Sequence, residues 1–158
     1  NGIIDKNGEF VEIEDFLNKK SDDYKTNDYN KVRLICQQIS NVDMQKRLKF
    51  VFCEKTDILG NSCNYIISTR QSEDLKKIYS ILNSELLNWR FKITSSNNHI
   101  NNYELDELPI VDLDNFELDE FSDNETICKL YGLTETETNY ILGNNKNEIV
   151  FEYEQETV

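Results

Sequence analysis

The chain is poor in the residues that mark several common kinds of site. It has one proline, one histidine and five scattered glycines among its 158 residues. No apolar run approaches the roughly 18 residues of a membrane span, so the sequence predicts no membrane segment. The sequence does not indicate a zinc site, because it has one histidine and its four cysteines are never spaced Cys-x-x-Cys. Cysteines in apolar runs are typical of small buried side chains, and reduced cysteines favour a cytoplasmic location.

Basic residues are also scarce, but the deficit lies at one end of the chain. The formal net charge is −13. Residues 101–158 hold 16 of the 30 acidic residues and two of the 17 basic ones, whereas residues 31–92 hold 11 basic and six acidic residues. The middle of the chain is therefore mildly basic, and nucleic-acid binding is not excluded. We interpret the acidic part as solvated surface; alternatively, it polarises the approach of an acidic partner.

Three short apolar stretches predict strands. Residues 31–40 are apolar on both faces, which predicts a central strand. Residues 48–54 and 63–68 predict a second and a third strand, and the short gap between them favours an antiparallel hairpin. Residues 8–13 alternate like a further short strand.

The longest helical pattern covers residues 73–93. Its apolar residues recur every three or four positions, which predicts one long helix with Ser72 as its N-cap. Asn101 followed by Glu104 predicts a capping box at a short helix that ends before Pro109.

Two more helices are predicted near the C-terminal end. One covers residues 123–131 and ends at Gly132, and the next begins at Thr134, with Glu137 completing a capping box. The predicted fold class is α+β. A small, mostly antiparallel or mixed sheet over residues 31–68 packs against the long helix, and a helical C-terminal part follows.

The order of these pieces resembles the C-terminal specificity (target-recognition) domain of type II adenine-N6 DNA methyltransferases, the TaqI-like specificity family. Members of that family carry a helix that reads like LLNSKLLNF, a polar loop of small residues, a helix with a leucine, and then LPI. The corresponding segments here are ILNSELLNW at 81–89, TSSNNH at 94–99, YELDEL at 103–108 and LPI at 108–110. The similarity extends upstream through residues 31–40 and covers roughly residues 29–142.

The resemblance implies a full-length S-adenosylmethionine-dependent DNA adenine methyltransferase of a bacterial restriction–modification system, with double-stranded DNA as its partner. It implies that residues 1–30 are a junction to an upstream methyltransferase domain of the same chain. Residues 31–111 are then the target-recognition core, and residues 112–158 an acidic helical extension. Such an enzyme needs a glycine-rich turn for its cofactor and an Asn/Asp-Pro-Pro-Tyr/Phe motif for the flipped adenine, and this sequence has neither. We therefore expect no catalytic residue, cofactor or metal in this part of the protein.

Polar residues at the predicted strand ends and loops suit DNA recognition. Arginine and lysine suit guanine, asparagine and glutamine suit adenine, and basic or short polar residues contact phosphates. Asparagine is abundant throughout the chain, so residue type alone is a weak signal. The candidate DNA contacts are Gln37, Gln38, Ser40, Asn41, Lys46, Arg47, Lys49, Asn61, Asn64, Arg70, Ser95, Ser96, Asn97, Asn98 and His99.

Other functions stay open. A separate specificity subunit of the type I kind shares a similar helix, loop and proline ending, although no coiled-coil heptads are visible. A combined restriction enzyme and methylase is a further possibility. An acidic protein-interaction module would instead bind a basic partner, and salt-sensitive, base-selective binding to duplex DNA separates the two classes. A stand-alone hydrolase is disfavoured because no catalytic set stands out.

Overall fold

The fold is α+β, as the sequence predicts. The computed structural model describes residues 2–4, 10–12, 14, 28–55, 57–60 and 62–144. Its elements, in chain order, are β1 (Gly2–Ile4), β2 (Phe10–Glu12), β3 (Arg33–Gln37), β4 (Phe50–Cys53), β5 (Cys63–Ile66), α1 (Asp74–Leu82), α2 (Glu85–Thr94), α3 (Asn102–Asp106), a 3₁₀ turn (Leu113–Asn115), α4 (Asn124–Leu130) and α5 (Glu135–Ile141).

The main sheet has the order β4-β3-β5, with both outer strands antiparallel to β3. The predicted central position of β3 is confirmed. The predicted hairpin between β4 and β5 is wrong, because β3 lies between them. The buried Arg33 side chain donates to the carbonyls of Glu54 (3.1 Å) and Asp57 (2.6 Å), which holds the connection over the start of β3. The chain therefore crosses to the opposite edge of the sheet.

A second, two-stranded antiparallel sheet is formed by β1 and β2. Its second strand lies within the predicted strand over residues 8–13, whereas its first strand falls in a stretch for which the polar composition predicted no strand.

The prediction of one long helix over residues 73–93 is wrong, because α1 and α2 are separate helices. Ser84 adopts an extended conformation, and its hydroxyl accepts from the Leu87 N–H at 3.2 Å, so Ser84 caps α2. The Asn83 amide turns away to the edge strand, where it donates to the Phe50 carbonyl (3.0 Å) and accepts from the Phe50 N–H (2.9 Å). Asparagine and serine compete with helices for such bonds, a local signal that the apolar spacing concealed.

The other helix ends follow local rules. Glu104 and Glu137 complete the two predicted capping boxes. Gly132, after α4, has a φ of 75°, a left-handed conformation that glycine adopts without strain. Ser72 does not cap α1, whose N-cap is Glu73 without a side-chain bond.

A single apolar cluster joins the sheet to the helices. Side chains of β3 and β4 meet those of α1 and α2, and α4 adds two more. The buried members are Leu34, Cys36, Leu48, Phe50, Leu75, Ile81, Leu82, Leu86, Leu87, Phe91, Ile100, Leu108, Ile127 and Cys128. Burial of this apolar surface is the main source of stability for the arrangement.

The break between α1 and α2 can be tested with two serines. We expect Ser84→Ala to lower the free energy of unfolding by about 1 kcal/mol, the usual effect of losing an N-cap. Ser72→Ala is the control, because Ser72 is exposed and caps nothing; its effect should stay within about 0.5 kcal/mol. Urea denaturation followed by circular dichroism measures both, and equal effects would contradict the assignment.

Candidate nucleic-acid interface

Beyond β3 the chain pairs with the loop that follows α2. Ile39 and His99 form an antiparallel bridge. The Ser40 N–H donates to the Asn98 carbonyl (2.8 Å), and the Ile100 N–H donates to the Gln38 carbonyl (2.7 Å). We call these two segments, residues 37–41 and 95–100, the polar ribbon.

One face of the polar ribbon is open. Gln37, Ile39 and Asn41 are exposed, whereas the residues between them are buried or half-buried. β3 ends at Gln37 and the backbone bends at Gln38, so these exposed residues follow one another where the chain leaves the sheet. The second segment exposes residues 96–99. A shallow concavity of about 460 Å³ lies here, lined by Ile39, Asn97, Asn98, His99 and Asn101.

The exposed asparagines have fixed orientations. The side-chain oxygen of Asn41 accepts from the Asp43 N–H (2.9 Å) and that of Asn97 from the His99 N–H (2.7 Å). The oxygen of Asn98 accepts from the N–H of residue 42 at 2.9 Å. Each amide therefore turns its oxygen to the backbone and leaves its NH₂ as the available donor. Such donors suit phosphate oxygens, O6 and N7 of guanine and O4 of thymine.

A buried arginine holds the second segment in place. Arg47 is 3% exposed, and its guanidinium donates to the carbonyls of Ser95 (3.0 Å) and Asn97 (2.5 Å). The guanidinium carbon lies 4.9 Å from the centre of the Phe91 ring. Burial lowers the pKa of Arg47, and the charge of Glu104 opposes that shift. Sequence analysis made Arg47 a DNA contact; the structure places it inside, where it shapes the loop.

Asn88 is a buried brace that sequence analysis did not identify. Its side-chain oxygen accepts from the N–H groups of Arg47 (2.8 Å) and Leu48 (3.3 Å), and its NH₂ donates to the Gln45 carbonyl (2.9 Å). A polar residue within the apolar stripe of a helix was the available signal. Because its three partners are backbone groups, Asn88 fixes the path of the chain that leads into β4.

Other candidates also serve as braces. The Asn64 amide donates to the Ile100 carbonyl (2.8 Å) and accepts from the Gln38 amide (2.9 Å). The Ser40 hydroxyl donates to the Arg47 carbonyl (3.2 Å). Ser40, Asn64 and Ser95 are buried and Gln38 is half-buried. In this conformation these side chains support the ribbon from within.

The remaining candidates have other surroundings. Lys46 is half-buried and donates to the Asn83 carbonyl and to Glu85. Lys49 is exposed. Arg70 is exposed and pairs with Asp114 at 2.8 Å, and that hydrogen bond raises the pKa of Arg70. Asn61 lies outside the described residues. Of the candidates, Gln37, Asn41, Ser96, Asn97, Asn98 and His99 are the exposed residues of the polar ribbon, and their contact with DNA stays a prediction.

The site is thus an exposed ribbon of amide side chains that buried polar groups hold in place. The chain belongs to the family of TaqI-like C-terminal specificity domains, whose model matches residues 3–110. Membership indicates DNA sequence recognition in a methyltransferase context. No curated protein and no solved structure matches the chain.

Two further findings concern the described part of the chain alone. Its histidine, cysteine, aspartate and glutamate side chains form no group of three or more that could hold a metal ion. None of its helices is both long enough and apolar enough to cross a membrane.

The role of Arg47 can be tested by Arg47→Lys. Lysine keeps the charge but lacks the planar fork that reaches two carbonyls. We expect the free energy of unfolding to fall by about 2 kcal/mol, because a buried carbonyl loses its partner. Arg90→Lys, at an exposed position on α2, should change it by less than about 0.5 kcal/mol. Urea denaturation measures both, and equal losses would show that Arg47 is no brace.

Glu104 makes the end of the ribbon sensitive to acid. Burial raises its pKa, but hydrogen bonds from the Asn101 backbone N–H and the Asn101 amide, with the charge of Arg47, outweigh burial, so the pKa is lowered. The Asn101 N–H lies 2.8 Å from the carboxylate. The resulting stability is present above the ordinary pKa of 4.5 and is lost as the pH falls through the lower folded value.

We therefore expect Glu104→Gln to lower stability at about pH 7 and to have a smaller effect at about pH 3. Glu107→Gln, at an exposed position just after α3, is the matched control and should not change the stability at either pH. Thermal unfolding at the two pH values gives the comparison. If Glu104→Gln lowers the unfolding temperature equally at both pH values, the ionised carboxylate of Glu104 does not contribute to stability.

Proposed function

We propose that this chain is the DNA sequence-recognition domain of a restriction–modification DNA adenine-N6 methyltransferase. Another domain of the same protein would bind S-adenosylmethionine and transfer the methyl group. The observation that carries the proposal is the polar ribbon, whose exposed face offers hydrogen-bond donors on a backbone fixed by buried side chains. Family membership supports the same function.

The shape of the ribbon fits duplex DNA. The major groove is wide enough for a two-stranded ribbon, and base edges are read there by amide and basic side chains. A reader must hold its donors in place before it binds, because ordering loose side chains weakens association. Arg47 and Asn64 supply that order here by binding carbonyl groups of the ribbon.

Phosphate contacts are available beside the ribbon. Arg90 and Lys92 are exposed on the last turns of α2, directly before the second ribbon segment, and Lys49 is exposed two residues after the buried Arg47. Basic side chains in such positions fix the register of a protein on the duplex without reading its sequence. Their contribution weakens as salt is added, because counterions are no longer released favourably.

The experiment is a fluorescence-anisotropy titration of the chain with randomised duplexes at about 50 and 200 mM salt, followed by selection of the tightest sequence. We expect weaker binding at the higher salt concentration and enrichment of one short motif. An acidic protein-interaction module would bind no duplex selectively. Absence of an enriched motif would therefore overturn the proposal.

Two glutamines provide a matched pair for the selected duplex. Gln37 is exposed on the ribbon, and Gln71 is exposed before α1. We expect Gln37→Ala to weaken binding about tenfold, within the range for one paired base contact, and Gln71→Ala to leave it unchanged. Equal effects would remove Gln37 from the interface.

A further inference from the structure

Ile39 is an apolar side chain on the open face of the polar ribbon. It is 63% exposed and lies opposite His99 in the ribbon bridge. Single exposed apolar residues are common on protein surfaces, so exposure alone assigns no role. The surroundings of Ile39 are more specific, because it lines a concavity together with the amides of Asn97 and Asn98.

Ile39 lies where the chain leaves the main sheet. β3 ends at Gln37, the backbone bends at Gln38, and a turn closed by the Met44 N–H on the Asn41 carbonyl (3.1 Å) follows. A ribbon that enters the major groove would therefore present Ile39 to the base edges together with the amides that line the same concavity.

The three exposed side chains of this ribbon segment differ in what they can recognise. No hydrogen bond occupies the Gln37 amide within the described part of the chain, so it can both donate and accept, as adenine requires. The Asn41 oxygen is bound to the Asp43 N–H, which leaves a donor. Ile39 can make only apolar contacts, and the apolar group that a base pair presents in the major groove is the 5-methyl group of thymine.

We propose that Ile39 reads the 5-methyl group of a thymine in the target sequence, beside the groups that the amides of Asn97 and Asn98 reach. This inference rests on the proposed function in DNA recognition and adds the identity of one base. The amides in the same concavity donate to neighbouring acceptors, and the isoleucine distinguishes thymine from cytosine at its own position.

The test begins with the duplex that the full 158-residue chain selects from a randomised pool. Each thymine is replaced in turn by deoxyuridine, which removes the 5-methyl group and nothing else. We expect one replacement to weaken binding about fourfold, the effect of losing one buried methyl group.

Two isoleucine variants then locate the contact. Ile39→Ala should bind the thymine and deoxyuridine duplexes equally well. Ile93→Ala should keep the fourfold difference, because Ile93 has a similar exposure, 61% against 63%, but lies on α2 outside the ribbon. Equal unfolding midpoints of the two variants show that the fold is intact, as expected for exposed positions.

The outcomes separate this inference from the function on which it rests. If no duplex is enriched, both are overturned. If a motif is enriched but contains no sensitive thymine, or if Ile39→Ala keeps the difference between thymine and deoxyuridine, the inference alone is overturned.

Discussion

The buried charge of Arg47 is the constraint on which the functional surface depends. A guanidinium taken out of water without compensation would destabilise the fold by several kcal/mol. Arg47 forms no ion pair among the described residues, and two carbonyl oxygens and the face of Phe91 solvate it instead. Those carbonyls, of Ser95 and Asn97, come within reach only if the chain turns back over the end of α2. The charge therefore sets the path of the second ribbon segment.

The polar contacts around Arg47 connect three parts of the fold. Asn88 on α2 holds the Arg47 backbone, Ser40 beyond β3 donates to the Arg47 carbonyl, and Asn64 on β5 donates to the far end of the ribbon. Apolar packing alone would tolerate small slips between these parts. Hydrogen bonds are directional, so these contacts favour one arrangement, although the Arg47 Nε and the Ser95 hydroxyl have no partner in the described part of the chain. A surface that must match the spacing of base pairs gains from that rigidity.

Local signals in the sequence were sufficient for much of the fold. Strands β2 to β5, both capping boxes and the end of α4 at Gly132 follow from patterns within a few residues. Strand order did not follow, because it is a matter of contacts between residues far apart in the chain, such as those of Arg33 with carbonyls more than 20 residues away. The break at Ser84 did not follow either, because the apolar spacing continues through it while Asn83 bonds to β4.

The candidate site could be predicted as a region but not residue by residue. Asn88 and Asn97 are the same residue type nine positions apart, yet one binds three backbone groups inside the protein and the other presents its NH₂ to solvent. Sequence shows the donors and acceptors of each; only the fold decides whether the neighbouring backbone uses them. A brace acts on affinity through stability, whereas a reader such as Gln37 can change affinity while stability stays constant. Measuring both stability and DNA affinity on the same variants therefore distinguishes a buried supporting residue from an exposed DNA contact, which residue type alone does not.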